Sequence, residues 1–447
     1  MKFGGSSVES AAAIDKVAEI VRARLDRHPI VVVSAMGKTT NRLLSIAAAA
    51  VRGDRDQALG ELASLQAFHL AEADGLGLEA FLEAQFQELS ELVKGLAIMG
   101  ELTPRATDAI SSYGERLSSV IVSAVFLDKG ITARHIDART LIVTDSRHTQ
   151  AAPLFAETYD RCARAITADF VWVMGGFIGS TADGVTSTLG RGGSDYTAAI
   201  VGAGIHAEEI QIWTDVDGML TCDPRVLEGG RRIKACSFAE AAELAYFGAK
   251  VLHPATVVPA MERNIPVRIL NSRRPNVEGT RIVAEPVTCR NVAKAIACKR
   301  DITLVNIVST RMLMAHGFLR RIFEVFDRYE TPVDMVATTE VSVSLTIDNT
   351  AQLDKITAEL REFAEVVAED NQAIVSLVGD SLRHTPGVAG RVFGALDSRN
   401  IKMVSQGASQ LNISFVVDGA DLVPVVRSLH QEFFGNLDSA VFDTEAA

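Results

Sequence analysis

Cysteine is scarce in this sequence, and its cysteines are not arranged in pairs. Five cysteines are spread over 447 residues, and no two of them form a Cys-x-x-Cys pair, so neither a zinc knuckle nor a disulfide framework is expected. There is no uninterrupted apolar run of about 18 residues, the length that a membrane-spanning helix needs. The N-terminal MKFGGSSVES lacks the apolar core of a signal peptide. These absences predict a protein of the reducing cytoplasm without a membrane partner.

An excess of positive charge is absent as well. The 44 Lys and Arg residues are outnumbered by 56 Asp and Glu, which gives a formal net charge of −12. A general binder of nucleic acid or of an anionic membrane would need a basic surface, so neither partner is expected. Binding of a small anionic ligand is not excluded, because such a site needs only a local cluster of hydrogen-bond donors and positive charge.

The first two-thirds of the chain alternate apolar strands with amphipathic helices. Residues 30–33 are a continuous β-branched run, which is typical of a strand buried on both faces of a parallel sheet. Further strands are predicted at 131–136, 170–174, 210–213 and 266–270. This alternation predicts an α/β sandwich with ligands at the carboxyl ends of the strands.

Two Ser-x-x-Glu patterns predict helix starts. Ser6 and Glu9 follow two glycines, and Ser237 and Glu240 open the apolar stretch 238–247, which Gly248 is expected to end. Asp195 is a third candidate, as the N-cap of a helix over 196–201.

The last third of the chain is a tandem repeat. Residues 302–348 align without gaps with 372–418 at an offset of 70 residues, so that Gly317 matches Gly387 and Arg321 matches Arg391. Each copy predicts a strand, a helix that begins at a glycine, and two strands, which indicates two small α+β modules. The predicted domains are 1–290, 300–371 and 372–447, with strand 302–308 able to pair in either module.

Two glycine-rich turns carry the chemistry of the first domain. Residues 2–5 (KFGG) place a lysine at a strand end before two glycines, and residues 188–195 (TLGRGGSD) place Arg191 between glycines. Glycines let a phosphate approach the backbone closely, and a helix N-terminus attracts anions. Taken alone, the first motif is better explained as an ordinary βα turn that needs glycine for its backbone dihedrals. An exposed guanidinium between glycines, as in the second motif, suits a carboxylate or phosphate. The two turns together favour phosphate chemistry.

Other segments are ambiguous when taken alone. WTDVDG at 213–218 and DPR at 223–225 are typical of turns. Lys250 follows a predicted helix end, where a lysine often pairs with the helix dipole. Glu115 fits an exposed helical glutamate, and His148 and His253 have no partners at metal-ligand spacing, which favours structural roles.

In combination and in order, these segments resemble the aspartate kinases, amino-acid kinases that phosphorylate the β-carboxylate of L-aspartate. KFGGSSV, VVVSAMGKTTN, the GE at 114–115, TLGRGGSDYTAA, WTDVDG and FGAKVLHPAT carry the resemblance, which is greatest to the monofunctional, lysine-sensitive type. It implies a three-layer α/β/α sandwich with a mainly parallel sheet, followed by two ferredoxin-like (βαββαβ) ACT modules. The implied reaction forms 4-phospho-L-aspartate from ATP, the first step of lysine, threonine and methionine biosynthesis.

The resemblance also implies residue roles. Lys2 and Asp195 would form the reacting centre, and Ser34, Thr40, Glu115 and Arg191 would bind aspartate. The nucleotide would be bound by Lys2, Phe3, Gly4, Gly5, Thr214, Asp215, Arg225, Lys250 and Val251. Mg²⁺ is expected on the phosphates of ATP, without a dedicated set of protein ligands.

Feedback inhibition is implied for the first ACT module. The positions associated with lysine binding are Met312, Phe318, Leu319, Val333, Asp334, Thr338 and Glu340. Lysine is the expected effector and threonine the alternative, and a homodimer is expected through residues 300–447. Two alternative functions are another amino-acid kinase, acting on glutamate, acetylglutamate or a nucleoside monophosphate, and a catalytically inactive amino-acid sensor. The paired ACT-like repeat disfavours the first, and the presence of Lys2, Arg191 and Asp195 disfavours the second.

Overall fold

A computed structural model describes residues 1–247, 254–309, 316–396 and 399–443. The chain forms two units, Met1–Met219 with Val251–Glu285 and Leu220–Lys250 with Pro286–Ala447. The segment 220–250 therefore groups with the C-terminal part, whereas the sequence-based boundary at residue 290 placed it in the first domain. Two contacts explain the grouping. Cys222 forms a parallel bridge with Ile296, and the buried ammonium of Lys294 lies 2.9 Å from a carboxylate oxygen of Glu240.

Strands and helices alternate through the first unit and recur in two similar sets in the second. The strands are β1 Lys2–Phe3, β2 Val31–Val33, β3 Ala133–His135, β4 Val143–Thr144, β5 Val171–Gly175, β6 Ile178–Thr181, β7 Thr186–Thr188, β8 Ile210–Thr214, β9 Ala235–Ser237, β10 Val267–Asn271, β11 Thr280–Val283, β12 Ala295–Val308, β13 Val336–Thr338, β14 Ser342–Ile347, β15 Glu365–Val378, β16 Met403–Gln406 and β17 Asn412–Asp418. The helices are α1 Ala11–Arg22, α2 Thr39–Val51, α3 Arg55–Glu72, α4 Glu79–Met99, α5 Pro104–Ser111, α6 Tyr113–Asp128, α7 Phe155–Ala165, α8 Gly193–Gly204, α9 Phe238–Tyr246, α10 Val258–Glu262, α11 Phe318–Arg328, α12 Leu353–Leu360, α13 Val388–Ala395 and α14 Leu422–Phe434.

The first unit is built on a mainly parallel sheet. Its strands lie in the order β3-β5-β2-β1-β8-β10-β11, and every neighbouring pair is parallel except β10 and β11. All three residues of β2 are buried. Because successive residues of a strand point to opposite faces, both faces of the sheet are covered. Helix α6 packs against β2, β3 and β5, and α8 packs against β1, β2 and β8. The predicted parallel-rich α/β fold is confirmed, and each predicted strand is present within two residues of its expected bounds.

The core of this unit joins the sheet to the helical segment between β2 and β3. Phe3 of β1 stacks on Trp213 of β8 with ring centroids 5.8 Å apart. Leu65 of α3 and Phe86 of α4 are buried in the same apolar cluster. The aromatic pair fixes the end of β1 beside the end of β8, where the glycine turn begins.

The second unit contains a six-stranded antiparallel sheet in the order β13-β14-β12-β15-β17-β16. Its two central strands, β12 and β15, are 14 residues long and pair along their length. Residues 303–308 of β12 pair with β14, and residues 295–299 pair with 374–378 of β15. Each long strand therefore serves both ACT-like modules. The closing strand of the second module is the first half of β12, which precedes residue 300.

The repeat is visible in the backbone as well as in the sequence. Gly317 and Gly387 occupy the N-cap positions of α11 and α13, and both have φ of 80°. This left-handed conformation favours glycine because it has no Cβ. The two copies therefore begin their helices in the same way.

Only one of the two Ser-x-x-Glu predictions is correct. Ser237 accepts a hydrogen bond from the backbone N–H of Glu240, and the Glu240 carboxylate accepts one from the backbone N–H of Ser237, so α9 begins with a capping box. Gly248, expected to end this helix, lies outside the described residues. The box at Ser6 is wrong, because Gly5–Ser7 form a 3₁₀ turn and α1 begins at Ala11 with Ser10 as its cap.

In the described ranges, no helix is both long and apolar enough to cross a membrane. All five cysteines lie in these ranges, and all are free thiols.

Candidate active site

The turn after β1 requires glycine because three segments meet there. The backbone N–H of Gly4 donates to the carbonyl of Trp213 over 3.1 Å, and that of Gly37 donates to the carbonyl of Gly5 over 3.1 Å. A Cβ on Gly5 would lie 2.9 Å from the carbonyl oxygens of both Ala35 and Gly37. The turn is therefore held against the loop that follows β2, at the carboxyl edge of the sheet.

Lys2 and Asp195 form an ion pair at this edge. The Nζ atom of Lys2 lies 2.7 Å from Oδ1 of Asp195, and both side chains are largely buried. Asp195 is in the first turn of α8, where the helix dipole favours a carboxylate. The expectation that Asp195 is the N-cap is wrong, because Gly192 holds that position with φ of 71°. Asp195 is consequently available to the cavity in front of the helix.

Glu115 enters the same region from α6. Its Oε1 accepts a hydrogen bond of 3.2 Å from the backbone N–H of Ala35, and its Oε2 is buried with no partner among the described residues. The helix approaches the sheet so closely that a Cβ on Gly175 would lie 2.9 Å from the Cβ of Glu115. Burial raises the pKa of Glu115 to about 8. The carboxyl group is thus held in place by its neighbours and forms no ion pair with any of the described residues.

Six of the predicted residues line one cavity of about 310 Å³. They are Lys2, Ser34, Thr40, Glu115, Arg191 and Asp195. These six residues supply two cationic side chains, two carboxyl groups and two hydroxyls at the carboxyl ends of parallel strands. Such a set can hold a small molecule that carries both an ammonium group and anionic groups.

Phe177 and Ser194 also line the cavity, and the sequence reasoning missed both. Phe177 has φ of 64°, rare for a bulky residue. Its backbone N–H donates to the hydroxyl of Thr197 and its carbonyl accepts from the N–H of Leu189. A signal was present, because Gly-Gly-Phe follows a predicted strand at its carboxyl end. The turn that aims Phe177 depends on contacts distant in sequence.

Comparisons with known proteins agree with this geometry. A model of the amino acid kinase family matches residues 1–271, and a model of the ACT domain matches residues 375–433. Aspartokinase 1 of Arabidopsis thaliana is 39% identical over 98% of this chain and 80% of its own length. Lysine-sensitive aspartokinase 3 of Escherichia coli is 36% identical over 97% of this chain and 98% of its own length. The chain belongs to the aspartokinases of the amino acid kinase family.

Solved structures of aspartokinases show the same fold. The structure of E. coli aspartokinase III in complex with aspartate and ADP, described as the R-state, matches with a TM-score of 0.83 at 34% identity, covering 97% of this chain and 99% of that chain. The complex of that enzyme with lysine and aspartate, the T-state, matches equally well. The prediction of an aspartate kinase with ACT modules is confirmed.

Several predicted nucleotide residues lie outside the cavity. Phe3 is fully buried and stacked on Trp213. Thr214 and Asp215 lie at the carboxyl end of β8, where the Thr214 hydroxyl donates to the Asp215 carboxylate. Arg225 is in the second unit, with its guanidinium bound to Asp223 at 2.6 Å. Lys250 and Val251 lie outside the described residues.

The predicted regulatory residues lie in the first ACT-like module. Phe318 begins α11 and packs on the edge of Phe363, with ring centroids 5.7 Å apart, while Leu319 is exposed. Val333 is partly buried against the module core. Thr338 and Glu340 are exposed, in β13 and just after it. Met312 lies outside the described residues.

Asp334 is the most constrained of this set. The ammonium of Lys299 lies 2.5 Å from Oδ1 of Asp334 and 2.7 Å from Oδ2 of Asp348. Oδ2 of Asp334 is buried with no hydrogen-bond partner in the described part of the chain. Burial raises the pKa of Asp334, and the Lys299 pair offsets only part of that rise. Asp334 therefore has one oxygen that is held and one that is available to a cation.

Proposed function

We propose that the cavity formed by Lys2, Ser34, Thr40, Glu115, Arg191 and Asp195 is where the γ-phosphoryl group of ATP passes to the β-carboxylate of L-aspartate. The observation that carries this proposal is a buried oxygen of Glu115, without a hydrogen-bond partner in the described part of the chain, in a cavity that also contains a lysine and an arginine. An amino acid with two carboxylates satisfies all three groups.

Recognition of aspartate follows from the charges. A buried carboxylate is costly unless a cation pairs with it, and the ammonium group of aspartate supplies that cation to Glu115. The planar guanidinium of Arg191 suits bidentate binding of a carboxylate. With both ends of the amino acid held, the β-carboxylate is directed toward the ion pair of Lys2 and Asp195.

The chemical step needs no general base. A side-chain carboxyl group with a pKa of about 3.9 is already ionised at neutral pH. Phosphoryl transfer then depends on in-line positioning and on neutralising the charge that develops on the transferred group. The Nζ atom of Lys2 supplies positive charge at the cavity, and Asp195, 2.7 Å away, orients it.

The glycine turn at Gly4 and Gly5 suits the phosphates of ATP. A Cβ on Gly4 would lie 3.7 Å from Nζ of Lys2, so the bare backbone and the ammonium face the same space. Thr214 and Asp215 at the carboxyl end of β8 are proposed to contribute further contacts to the nucleotide, and the roles implied for Arg225, Lys250 and Val251 stay predictions. Mg²⁺ would neutralise phosphate charge, and it is proposed to bind mainly through the phosphates and water. The described residues contain no cluster of three or more His, Cys, Asp or Glu side chains that could hold a metal ion.

Regulation by lysine is proposed for the first ACT-like module, with threonine as the alternative effector. Oδ2 of Asp334, which has no hydrogen-bond partner within the described ranges, suits an ammonium group. At the offset of the repeat, Val404 stands where the first module has Asp334. This difference favours the first module as the effector site.

A homodimer through the ACT-like modules is also proposed. Strand β13 is at an edge of the six-stranded sheet, and Val336 in it is 37% exposed. An exposed apolar side chain on an edge strand is suited to contact with a second copy. Val336→Lys should shift the sedimentation coefficient toward that of a monomer, and Val423→Lys, at an equally exposed valine of α14, should not. Dimers that persist in Val336→Lys would contradict pairing at this edge.

A cytoplasmic location is proposed because all five cysteines are free thiols.

The substrate is tested with an acyl-phosphate trap. The chain is incubated with ATP, Mg²⁺ and hydroxylamine, which converts an acyl phosphate to a hydroxamate, and aspartate is compared with glutamate. Hydroxamate from aspartate, suppressed by added lysine, is expected. Turnover with glutamate alone would contradict the substrate, and inhibition by threonine alone would contradict the effector.

A further inference from the structure

Asp108 is a fully buried carboxylate with three donors, and none of the roles above uses it. It lies in α5 and accepts hydrogen bonds from Nδ1 of His148 over 2.7 Å and from the hydroxyl of Thr188 over 2.6 Å. The backbone N–H of Thr149 lies 3.0 Å from both of its oxygens. Hydrogen bonds to an ionised acceptor are short and strong, so this carboxylate and its donors form a rigid cluster.

The donors lie directly behind the turn that carries Arg191. Thr188 ends β7, three residues before Arg191, and its carbonyl accepts from the backbone N–H of Ala151 over 2.9 Å. Gly190 has φ of 75°, and a Cβ there would lie 3.1 Å from the carbonyl oxygen of Thr149. The segment 148–151 therefore forms the support against which the Arg191 turn rests.

Thr149 shows how firmly this support is held. Its φ is 71°, which is unfavourable for a β-branched residue. Such a conformation persists only where the surroundings impose it. The Asp108 carboxylate imposes it here by accepting the N–H of Thr149 on both oxygens.

Asp108 also connects to the helix that carries Glu115. Only Ser112 separates α5 from α6. Its hydroxyl donates to the carbonyl of Ala109 over 2.7 Å, and its own carbonyl accepts from the N–H of Arg116 over 3.1 Å. The helix containing Asp108 is thus linked to the helix containing Glu115. One carboxylate joins the two segments that present the ammonium-binding and carboxylate-binding groups.

We propose that Asp108 is a positioning residue that fixes the separation of Glu115 and Arg191 and thereby selects a four-carbon amino dicarboxylate over its five-carbon homologue. This inference rests on the proposed roles of Glu115 and Arg191. One methylene group separates the two substrates, so the cavity can discriminate only if its two binding groups are held at a fixed distance. A displacement of about 1 Å can cost on the order of a hundredfold in rate.

The test removes one donor at a time and uses a matched control. Thr188→Val deletes the hydroxyl donated to Asp108 and keeps the branched shape. Thr158→Val makes the same change at a buried threonine of α7 that hydrogen-bonds Val143. In Thr188→Val the KM for aspartate should rise about tenfold, and the ratio of kcat/KM for aspartate over glutamate should fall by a similar factor. The KM for ATP should change less than about twofold. Thr158→Val should lower Tm without moving the ratio.

A second pair of variants covers the case in which Thr188→Val does not fold. His148 is at the partly exposed end of the cluster, so its replacement disturbs packing less. His148→Leu removes the donor and should raise the KM for aspartate, whereas His148→Asn presents an N–H near the position of Nδ1 and should restore it. A general loss of stability would not explain a KM for aspartate that rises in His148→Leu and is normal in His148→Asn.

The proposal is wrong if Thr188→Val and His148→Leu have the same ratio of kcat/KM for aspartate over glutamate as Thr158→Val. It is also wrong if the KM for ATP rises as much as the KM for aspartate in these two variants. If Glu115 and Arg191 do not bind aspartate, the result would be different. Arg191→Lys and Glu115→Gln would then leave the KM for aspartate unchanged, whatever the behaviour of Thr188→Val.

Discussion

Burial determines what Glu115 can do at a given pH. Its side chain is 4% exposed, and its Oε1 accepts a hydrogen bond from the backbone N–H of Ala35. Burial raises its pKa to about 8, so the group is mainly protonated at neutral pH when no cation lies beside it. An ammonium group at Oε2 favours the ionised form. Binding of aspartate and ionisation of Glu115 are therefore linked.

This linkage predicts a pH profile for aspartate. The kcat/KM for aspartate should rise with pH and level off above about 8, because the free enzyme must ionise Glu115 before it binds the ammonium group well. Glu115→Gln should lower kcat/KM by about tenfold or more and abolish the rise. Initial rates at limiting aspartate from about pH 6 to about pH 9 measure this. A flat profile for the unsubstituted chain would contradict the assignment.

Stability should show the opposite trend through the same group. Between its ordinary pKa of 4.5 and its folded-state pKa of about 8, Glu115 binds a proton in the folded chain and not in the unfolded one. Its contribution to stability therefore falls as pH rises through that window. Relative to the unsubstituted chain, Glu115→Gln should gain Tm as the pH is raised from about 5 to about 8.

At the scale of elements, some glycines are required because a side chain would clash with a neighbouring segment, and others are not. A Cβ at Gly5 meets two backbone carbonyl oxygens at 2.9 Å, whereas a Cβ at Gly60, inside α3, meets nothing within 4 Å. Backbone atoms cannot move aside as a flexible side chain can. The two positions therefore form a matched pair for the same substitution.

Alanine should have opposite effects at these two sites. Gly5→Ala should displace the turn after β1 and lower kcat at least tenfold, on the order of what misplaced catalytic groups cost. Gly60→Ala should leave kcat unchanged and increase the free energy of unfolding by about 0.5–1 kcal/mol, because alanine favours a helix interior. Steady-state kinetics and denaturant unfolding measure the two effects. Normal turnover in Gly5→Ala would show that the turn tolerates a side chain.

Short sequence patterns predict strands and helix starts correctly where contacts between residues close in sequence determine them. The sequence predicts a strand at 210–213 and β8 is Ile210–Thr214, because a β-branched and aromatic run needs little else to form a buried strand. Ser237 and Glu240 formed their capping box because each satisfies the other. Ser6 and Glu9 did not, because the chain around Gly5 is held against the loop after β2 by contacts 30 residues away.

In the candidate site too, the sequence does not predict contacts between residues that are distant in the chain. The glycine turns and Arg191 were evident in the sequence because their residue types are unusual at those positions. The cluster of Asp108 with His148 and Thr188 was not, because its members are 40 and 80 residues from Asp108 in sequence. Only the folded chain brings them together, so a sequence pattern alone treats His148 as an ordinary structural residue.

At the scale of the whole molecule, the repeat shares its central strands. The 70-residue offset predicted two modules, but nothing in it indicated that β12 and β15 would each serve both. The two copies of the repeat also differ in their clusters of ion pairs. Lys299 pairs with Asp334 and Asp348 in the first, and Lys402 pairs with Glu369 and Asp418 in the second.

Effector sensitivity should follow the first cluster only. Asp334→Asn should raise the lysine concentration for half-inhibition by about tenfold or more, because the buried oxygen that accepts the ammonium group loses its charge. Glu369→Gln removes the charge of a comparable ion-paired carboxylate in the second cluster and should change that concentration less than about twofold. Inhibition curves at fixed aspartate measure both. Equal loss of sensitivity in the two variants would contradict an effector site at Asp334.

The central claim is that phosphoryl transfer to aspartate takes place beside Lys2. The most direct test is the kcat of Lys2→Ala at saturating ATP and aspartate, with Lys16→Ala, an exposed lysine of α1, as the control. Loss of a preorganised charge at the transition state predicts a fall in kcat of about 10²–10³-fold in Lys2→Ala and none in Lys16→Ala. A folded Lys2→Ala chain with near-normal turnover would contradict the account.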